Sequence, residues 1–377
     1  MAVDFYRHSL GEDEKQAVCA VLDSLFLTTG QRVYDFEKRF EEYLGVPAIV
    51  ATVHCTASLH LAMLAAGIGP GDEVITTPLT FLSSANAVLY AGGTPVFVDV
   101  DPSTANIDPR AVEAAITPKT KAIVAIDLYG LPADHVALRA IADRHSLVLV
   151  EDAAHCVEGV RDGYKPGQLA DYACFSFYAT KNLTCGEGGA ISARDAGKKT
   201  LLRQLTSHGM SKNAADRYAG KYQHWDMERL GWKYNLSDIQ ASMLASQLPK
   251  LAARRDRREE ICNRYEAAFR ETPGVEFPIV PEGATSARHL FTIWVDPERR
   301  DAILADIQGR GVGVAVNYRP VHIMSYYQET LGTKRGQFPF AESIGDRTIT
   351  IPLWPAMTEA QVDEVIAAVR GAVAAAR

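Results

Sequence analysis

Along the first half of the chain, short unbroken apolar runs alternate with stretches whose apolar positions recur at helical spacing. The runs cover 48–53, 74–76, 95–100, 122–126 and 147–152, and each is short and rich in Val and Ile, which predicts buried strands. Between them helical spacing appears over 59–66, 110–116 and 136–145, and a further helix opens at 80–84. Ahead of the first run, helical patterns over 13–25 and 33–40 are separated by Thr28-Thr29-Gly30, a turn. Strands apolar on both faces, spaced by amphipathic helices, predict a mostly parallel sheet covered on both sides. Functional groups in such sheets gather at the carboxyl ends of the strands.

From about residue 274 the rhythm changes. Strands are expected over 289–295, 314–318 and 348–351, with helices over 300–309 and 359–375, the mixture of a small α+β unit. The helix at 239–251, capped by Ser237 or Asp238, runs on through the charged stretch 254–260, expected to be a solvated face bridging two units. At 377 residues the chain exceeds the usual size of a single core. The expected division is a large unit over 1–250 and a small one over 251–377. Residues 210–229 are polar without a period and are expected to form an exposed loop.

Composition narrows the function classes. A net charge of -7 with no Lys/Arg stripe argues against a nucleic-acid partner, because nothing is available to neutralise phosphates. Six cysteines stand without a C-x-x-C pairing, so neither a zinc site nor a disulfide framework is expected, and no metal. No apolar run is long enough to cross a bilayer, and the expected location is the cytoplasm.

Candidate chemistry begins with Lys181, set between the aromatic run Phe175-Ser176-Phe177-Tyr178 and the glycine-rich turn Gly186-Glu187-Gly188-Gly189. A lysine is nucleophilic only when its amine is neutral, which needs desolvation or a cationic neighbour; taken alone, it is more often an ordinary surface residue. Asp152, at the end of the run 147–152, is either a helix cap or a carboxylate with a partner. Thr56, Ala57 and Ser58 follow a strand and open a helix, where backbone N–H groups attract anions, though plain caps look the same. Phe81 opens a helix and either packs in the core or lies on a flat ligand. The stretch 67–73 (Gly-Ile-Gly-Pro-Gly-Asp-Glu) follows a helix and precedes a strand, the reverse of a dinucleotide fingerprint, so it is a turn. One cofactor uses a phosphate cup, a flat stacking residue, a strand-end carboxylate and a lysine together: pyridoxal 5'-phosphate (PLP).

On these residues, and on Ile68-Gly69-Pro70-Gly71-Asp72-Glu73-Val74-Ile75-Thr76, Glu151-Asp152-Ala153-Ala154-His155 and Tyr234-Asn235-Leu236-Ser237-Asp238, the chain resembles the DegT/DnrJ/EryC1/StrS sugar aminotransferases over nearly its whole length. The spelling Lys181-Asn182-Leu183-Thr184-Cys185 is most similar to members that aminate a UDP-4-keto-pentose. The resemblance implies the PLP fold-type I architecture, α/β with a smaller C-terminal α+β domain. It implies that Lys181 anchors the cofactor and shuttles the proton, and that Asp152 pairs with the ring nitrogen. His155 would lie on the ring's hydroxyl side and Phe81 on its face. Thr56, Ala57 and Ser176 would hold the phosphate with Asn235 of a neighbouring subunit, making a homodimer part of the site. Thr28, Thr29, Tyr318 and His322 would face substrate.

Two departures stand out. Cys55 occupies a position where many relatives have glycine, and Asp127, at a strand end, one where many have histidine, which is expected to alter substrate preference. Lys181 is retained, whereas relatives that dehydrate sugars carry histidine there. The implied activity is amino transfer from L-glutamate to a keto carbon, C4, of a nucleotide-linked sugar, with amination at C3 or of a cyclitol as the alternative. A PLP or sugar-nucleotide sensor and an NAD oxidoreductase fit less well, the first because it need not keep Lys181.

Overall fold

The computed structural model describes residues 3–211 and 224–376. Helices α1 (Glu12–Leu22) and α2 (Gln31–Leu44) lead into β1 (Ile49–Thr52), α3 (Cys55–Ala65), β2 (Glu73–Thr76), α4 (Leu82–Tyr90) and β3 (Thr94–Phe97). Then come α5 (Pro109–Ala114), β4 (Thr120–Ile126), α6 (His135–His145), β5 (Val148–Asp152), β6 (Val160–Arg161), β7 (Tyr172–Ser176), β8 (Gly189–Ala193), α7 (Lys198–Thr206) and α8 (Asp238–Ala245).

Seven strands form one sheet in the order β1-β8-β7-β5-β4-β2-β3. The β5–β7, β4–β5, β2–β4 and β2–β3 pairs are parallel, and β8 alone runs against both its neighbours, β1 and β7. The pleat sorts side chains by parity. Val124, Val150 and Cys174 join Leu59 and Leu61 of α3 in one core, while Ile123, Ala125 and Leu149 pack with Leu138 and Ile141 of α6 on the other side. Ala173 and Phe175 share that second side with Phe36 and Phe40 of α2. This two-sided burial is why the strands read as continuous apolar runs.

The rest of the chain comprises α9 (Leu251–Arg270), β9 (Ala284–Thr285), β10 (Phe291–Trp294), α10 (Arg300–Gly309), α11 (Ser325–Leu331), α12 (Pro339–Arg347), β11 (Thr348–Ile351) and α13 (Glu359–Ala375). β10 and β11 pair antiparallel, and their inward residues Phe291, Ile293, Ile349 and Ile351 meet Tyr265, Ile307 and Val369 from three helices. Val3 also lies in this core, bridged to Val312, so the first residues of the chain pack with the last third.

Three expectations need correction. No strand forms over 314–318; only Ala315 bridges to Thr350, because the polar residues Asn317 and Tyr318 turn toward the sheet domain. The charged stretch of α9 is not uniformly solvated: Arg258 is 2% exposed and pairs with Glu158. Helix α3 begins at Cys55, four residues before its apolar pattern. Of the polar loop expected over 210–229, residues 212–223 lie outside the described residues.

Candidate active site

The carboxyl ends of β4, β5 and β7 open into a cleft of about 920 Å³. Ile126 and Asp152 reach it because they keep the parity of Val124 and Val150, and Ser176 reaches it from the end of β7. Thr56 and Phe81 enter from the starts of α3 and α4, Lys181 from the loop after β7, and Tyr318 from the C-terminal unit.

Lys181 is partly buried, and desolvation lowers its pKa to about 8, against the pull of Cys55 and Asp152, which raise it. A useful fraction of its amine is therefore neutral near physiological pH. Asp152 is 5% exposed; its Oδ2 accepts from the Ser84 hydroxyl at 2.7 Å and its Oδ1 from the Ala154 amide at 3.2 Å. Burial raises its pKa, and these two donors and Lys181 oppose the rise. Among the described residues no lysine or arginine makes an ion pair with it, so a buried carboxylate faces the cleft with only neutral donors in contact.

His155 has both nitrogens engaged. Nδ1 accepts from the Tyr129 amide at 3.2 Å, which leaves Nε2–H to donate to the Tyr318 hydroxyl oxygen at 3.1 Å. Burial, then Lys181, drives its pKa well below the ordinary value, so the ring is neutral. Phe81, although a large hydrophobe, is 55% exposed, with its ring centroid 6.0 Å from that of Tyr318. The Thr56 and Ser83 hydroxyls are 2.8 Å apart, and of the first amides of α3 those of Ala57 and Ser58 donate to the His54 carbonyl, which leaves the Cys55 and Thr56 amides ahead of the helix's first hydrogen bonds. The Ala57 amide is already occupied: it donates to the Nδ1 of His54, the N-cap, at 2.9 Å. Ser176 accepts from the Tyr178 amide at 3.4 Å.

Two residues expected to face substrate do not. Asp127 is fully buried on the face of the sheet opposite the cleft, where its Oδ1 accepts from His135 Nε2 at 2.7 Å and from the Ala133 amide at 2.8 Å. Parity decides this: Ile126 takes the cleft side, so the next residue points away. His322 is also fully buried, 3.0 Å from Glu342 and edge-on to Phe338. Thr28, Thr29 and Asn235 form a cluster of their own, with Asn235 Nδ2 donating to Thr29 at 2.7 Å and to Thr28 at 3.4 Å, and they do not line this chain's cleft. Ser84, His54 and His289 also belong to this region and are not marked by residue type alone. Ser84 and His54 carry no local signal beyond polarity near a helix start, and His289 reads as the first residue of a strand.

Residues 8–370 match the model of the DegT/DnrJ/EryC1/StrS aminotransferase family. The chain belongs to this family. It is 43% identical over 367 residues to the spore coat polysaccharide biosynthesis protein SpsC of Bacillus subtilis, covering 96% of this chain and 94% of that one. Among solved structures it is similar to the aminotransferase TlmJ from Streptoalloteichus hindustanus, at 34% identity and a TM-score of 0.92, with each chain covered completely. It is also similar to the PLP form of Spr1654 from Streptococcus pneumoniae, described as a sugar aminotransferase, at 27% identity and a TM-score of 0.94 over the full length of both chains; the same protein is known in a PMP form.

The protein is thus a PLP-dependent sugar aminotransferase of the DegT/DnrJ/EryC1/StrS family with the fold-type I architecture. Its own residues fit the cofactor. The carboxylate of Asp152, lacking a contacting cation, suits a protonated ring nitrogen, and the Cys55 and Thr56 amides with the paired Thr56 and Ser83 hydroxyls suit a phosphate. The exposed ring of Phe81 and the Lys181 amine, with its lowered pKa, lie on the same cleft. Among the described residues of this family member no helix is long and apolar enough to cross a membrane.

Proposed function

We propose that the enzyme takes an amino group from L-glutamate and delivers it to a keto carbon, C4, of a nucleotide-linked sugar, in two half-reactions at one site. The observation that carries the chemistry is a partly buried Lys181 amine sharing a cleft with the buried carboxylate of Asp152. Bound PLP supplies an aldehyde that captures amines and a ring that takes up the electron pair left when a C–H bond breaks. Asp152 holds a proton at the ring nitrogen. Lys181 carries the cofactor and then moves a proton between substrate carbon and cofactor. Thr56, Ser176 and the amides opening α3 bind the phosphate, and Phe81 covers the ring.

Support for the acceptor is threefold. The cleft volume is at the upper end of the range for small-molecule sites, which accommodates a ligand larger than the cofactor alone. A relative named for polysaccharide biosynthesis is consistent with an activated sugar as substrate. The spelling of 181–185 favours a UDP-4-keto-pentose. Thr28, Thr29 and Asn235 are not among the residues lining their own chain's cleft, which supports the reading that a homodimer completes each site with a partner's copy. The units 1–250 and 251–377 would enclose substrate between them, with Tyr318 meeting Phe81 and His155. All six cysteines are free, which suits the cytoplasm.

A panel of UDP-, dTDP- and GDP-keto-sugars with L-glutamate, followed by product analysis, tests this reading. A 4-amino nucleotide sugar is expected. A product aminated at C3, or turnover of a free cyclitol ketone alone, would refute the acceptor assignment.

A further inference from the structure

His289 sits beside Lys181 without being part of any motif that identifies the family site. It is 5% exposed, just before β10, and its Nε2 is 3.5 Å from Lys181 Nζ, the outer limit of a hydrogen bond. Which nitrogen carries the proton follows from the partners behind it. Arg258 can only donate, and its Nη2 donates to Glu158 Oε1 at 2.5 Å. The other oxygen of Glu158 accepts from Asn182 Nδ2 at 3.1 Å, and the same amide nitrogen donates to the Ala287 carbonyl at 3.0 Å. Two acceptors fix the orientation of the Asn182 amide, so the atom it presents to His289 Nδ1, at 3.2 Å, is its carbonyl oxygen. A carbonyl accepts only, and Nδ1 therefore bears the proton. In a neutral ring Nε2 is then a bare acceptor.

We propose that His289 is a positioning residue for Lys181: a neutral Nδ1–H imidazole, oriented by the relay Arg258–Glu158–Asn182, that accepts an N–H of the lysine and turns the amine's lone pair toward the cleft. The inference rests on the reading of Lys181 as cofactor anchor and proton shuttle. The neutral lysine amine turns about several single bonds and carries two hydrogens and one lone pair, so nothing intrinsic aims that lone pair. An acceptor on one side does. A donor at the same place would occupy the lone pair and block the base, which is why the tautomer matters.

The surroundings keep the ring neutral. Desolvation, with Lys181 and Arg258 behind it, holds the His289 pKa well below the ordinary value. His155, whose ring centroid is 4.6 Å away, is itself locked as the Nε2–H tautomer between Tyr129 and Tyr318 and adds no charge. The other groups acting on Lys181 are Cys55 and Asp152, neither of which makes a hydrogen bond with it among the described residues.

The test is the rate at which apoprotein captures PLP, read as the rise of the visible band over a range of pH, alongside affinity for PMP, which needs no lysine. Wild type, His289→Phe, His289→Gln and Asn182→Leu are compared. Wild type is expected to show a midpoint near the Lys181 value of about 8. His289→Phe is expected to lower the high-pH plateau about tenfold, the cost of one hydrogen bond, and to move the midpoint to lower pH, because the ammonium loses its acceptor. Asn182→Leu shifts both in the same direction, His289→Gln restores both, and PMP affinity stays within about threefold, the scale of weak indirect effects. An unchanged profile in His289→Phe overturns the proposal. So does a lowered plateau that tracks PMP affinity with an unmoved midpoint, which marks a merely structural role. A wild-type protein that binds PMP but never captures PLP refutes the reading of Lys181 itself and the proposal with it.

Discussion

At the scale of single residues, the site depends on two groups whose proton affinities burial moves in opposite directions: Lys181 down, toward a free amine, and Asp152 up, opposed by Ser84 and the Ala154 amide. Asp152 lacks a contacting cation, and the ring nitrogen of bound PLP would provide one. Asp152→Asn is expected to lower kcat by about 10³-fold, the scale of removing one fixed electrostatic partner, while PMP binding, measured by equilibrium dialysis, falls far less. Equal losses in both would assign Asp152 a binding role only. Lys181 and Asp152 were legible because their chemistry is rare at such positions: a lysine after a buried aromatic strand and a carboxylate ending one. Ser84 and His289 were not, because what they do depends on which strand ends face them, and no local pattern carries that.

At the scale of elements, parity along the strands explains both a success and a failure. Apolar runs at 122–126 and 147–152 announced β4 and β5, and Asp152 shares the phase of Val150, which places it on the cleft. Asp127 and Glu151 have the opposite phase and meet His135 beneath the sheet, where the His135 ring is 2.7 Å from Asp127 and 3.4 Å from Glu151. These three are the only acid and histidine cluster with metal-ligand spacing among the described residues. Desolvation pushes Asp127 up to about 7 and Glu151 well above the usual range, although bonds from Glu151 and the Ala133 amide hold Asp127 down. An acid whose folded pKa exceeds its unfolded one binds more protons when folded, so its contribution to stability falls as pH rises from about 4 to 7. The melting temperature of wild type is therefore expected to drop more steeply between pH 5 and pH 8 than that of Asp127→Asn, which keeps an acceptor for Ala133 and His135. Each tenfold change in proton affinity is worth about 1.4 kcal/mol. Parallel slopes in calorimetry would contradict a raised proton affinity at Asp127. The buried Arg258 in a run of charges shows the same limit of sequence patterns, since its partner Glu158 is a hundred residues away.

At the scale of the whole molecule, the large sheet and the mixed C-terminal unit follow from the change of rhythm along the chain, but the packing of Val3 into the C-terminal core does not, because a single apolar residue near a terminus has no period. Nor does a chain's own sequence say whose cleft its Asn235 serves. On the proposed homodimer with shared sites, Lys181→Ala and Asn235→Ala, each inactive alone, are expected to recover roughly a quarter of wild-type sites when mixed and reassembled, since half of such dimers would be hybrids and each hybrid would hold one intact site. No recovery, with hybrids verified by native mass spectrometry, would place Asn235 in its own chain's site.

The most direct test of amino transfer at Lys181 follows the visible band of the holoenzyme through both half-reactions. L-glutamate alone is expected to bleach the band with release of one equivalent of 2-oxoglutarate per site, and a UDP-4-keto-pentose added afterwards to restore it with formation of the amino sugar, neither change occurring in Lys181→Ala. A band that L-glutamate leaves intact, or one that the keto-sugar nucleotides fail to restore, would contradict the account.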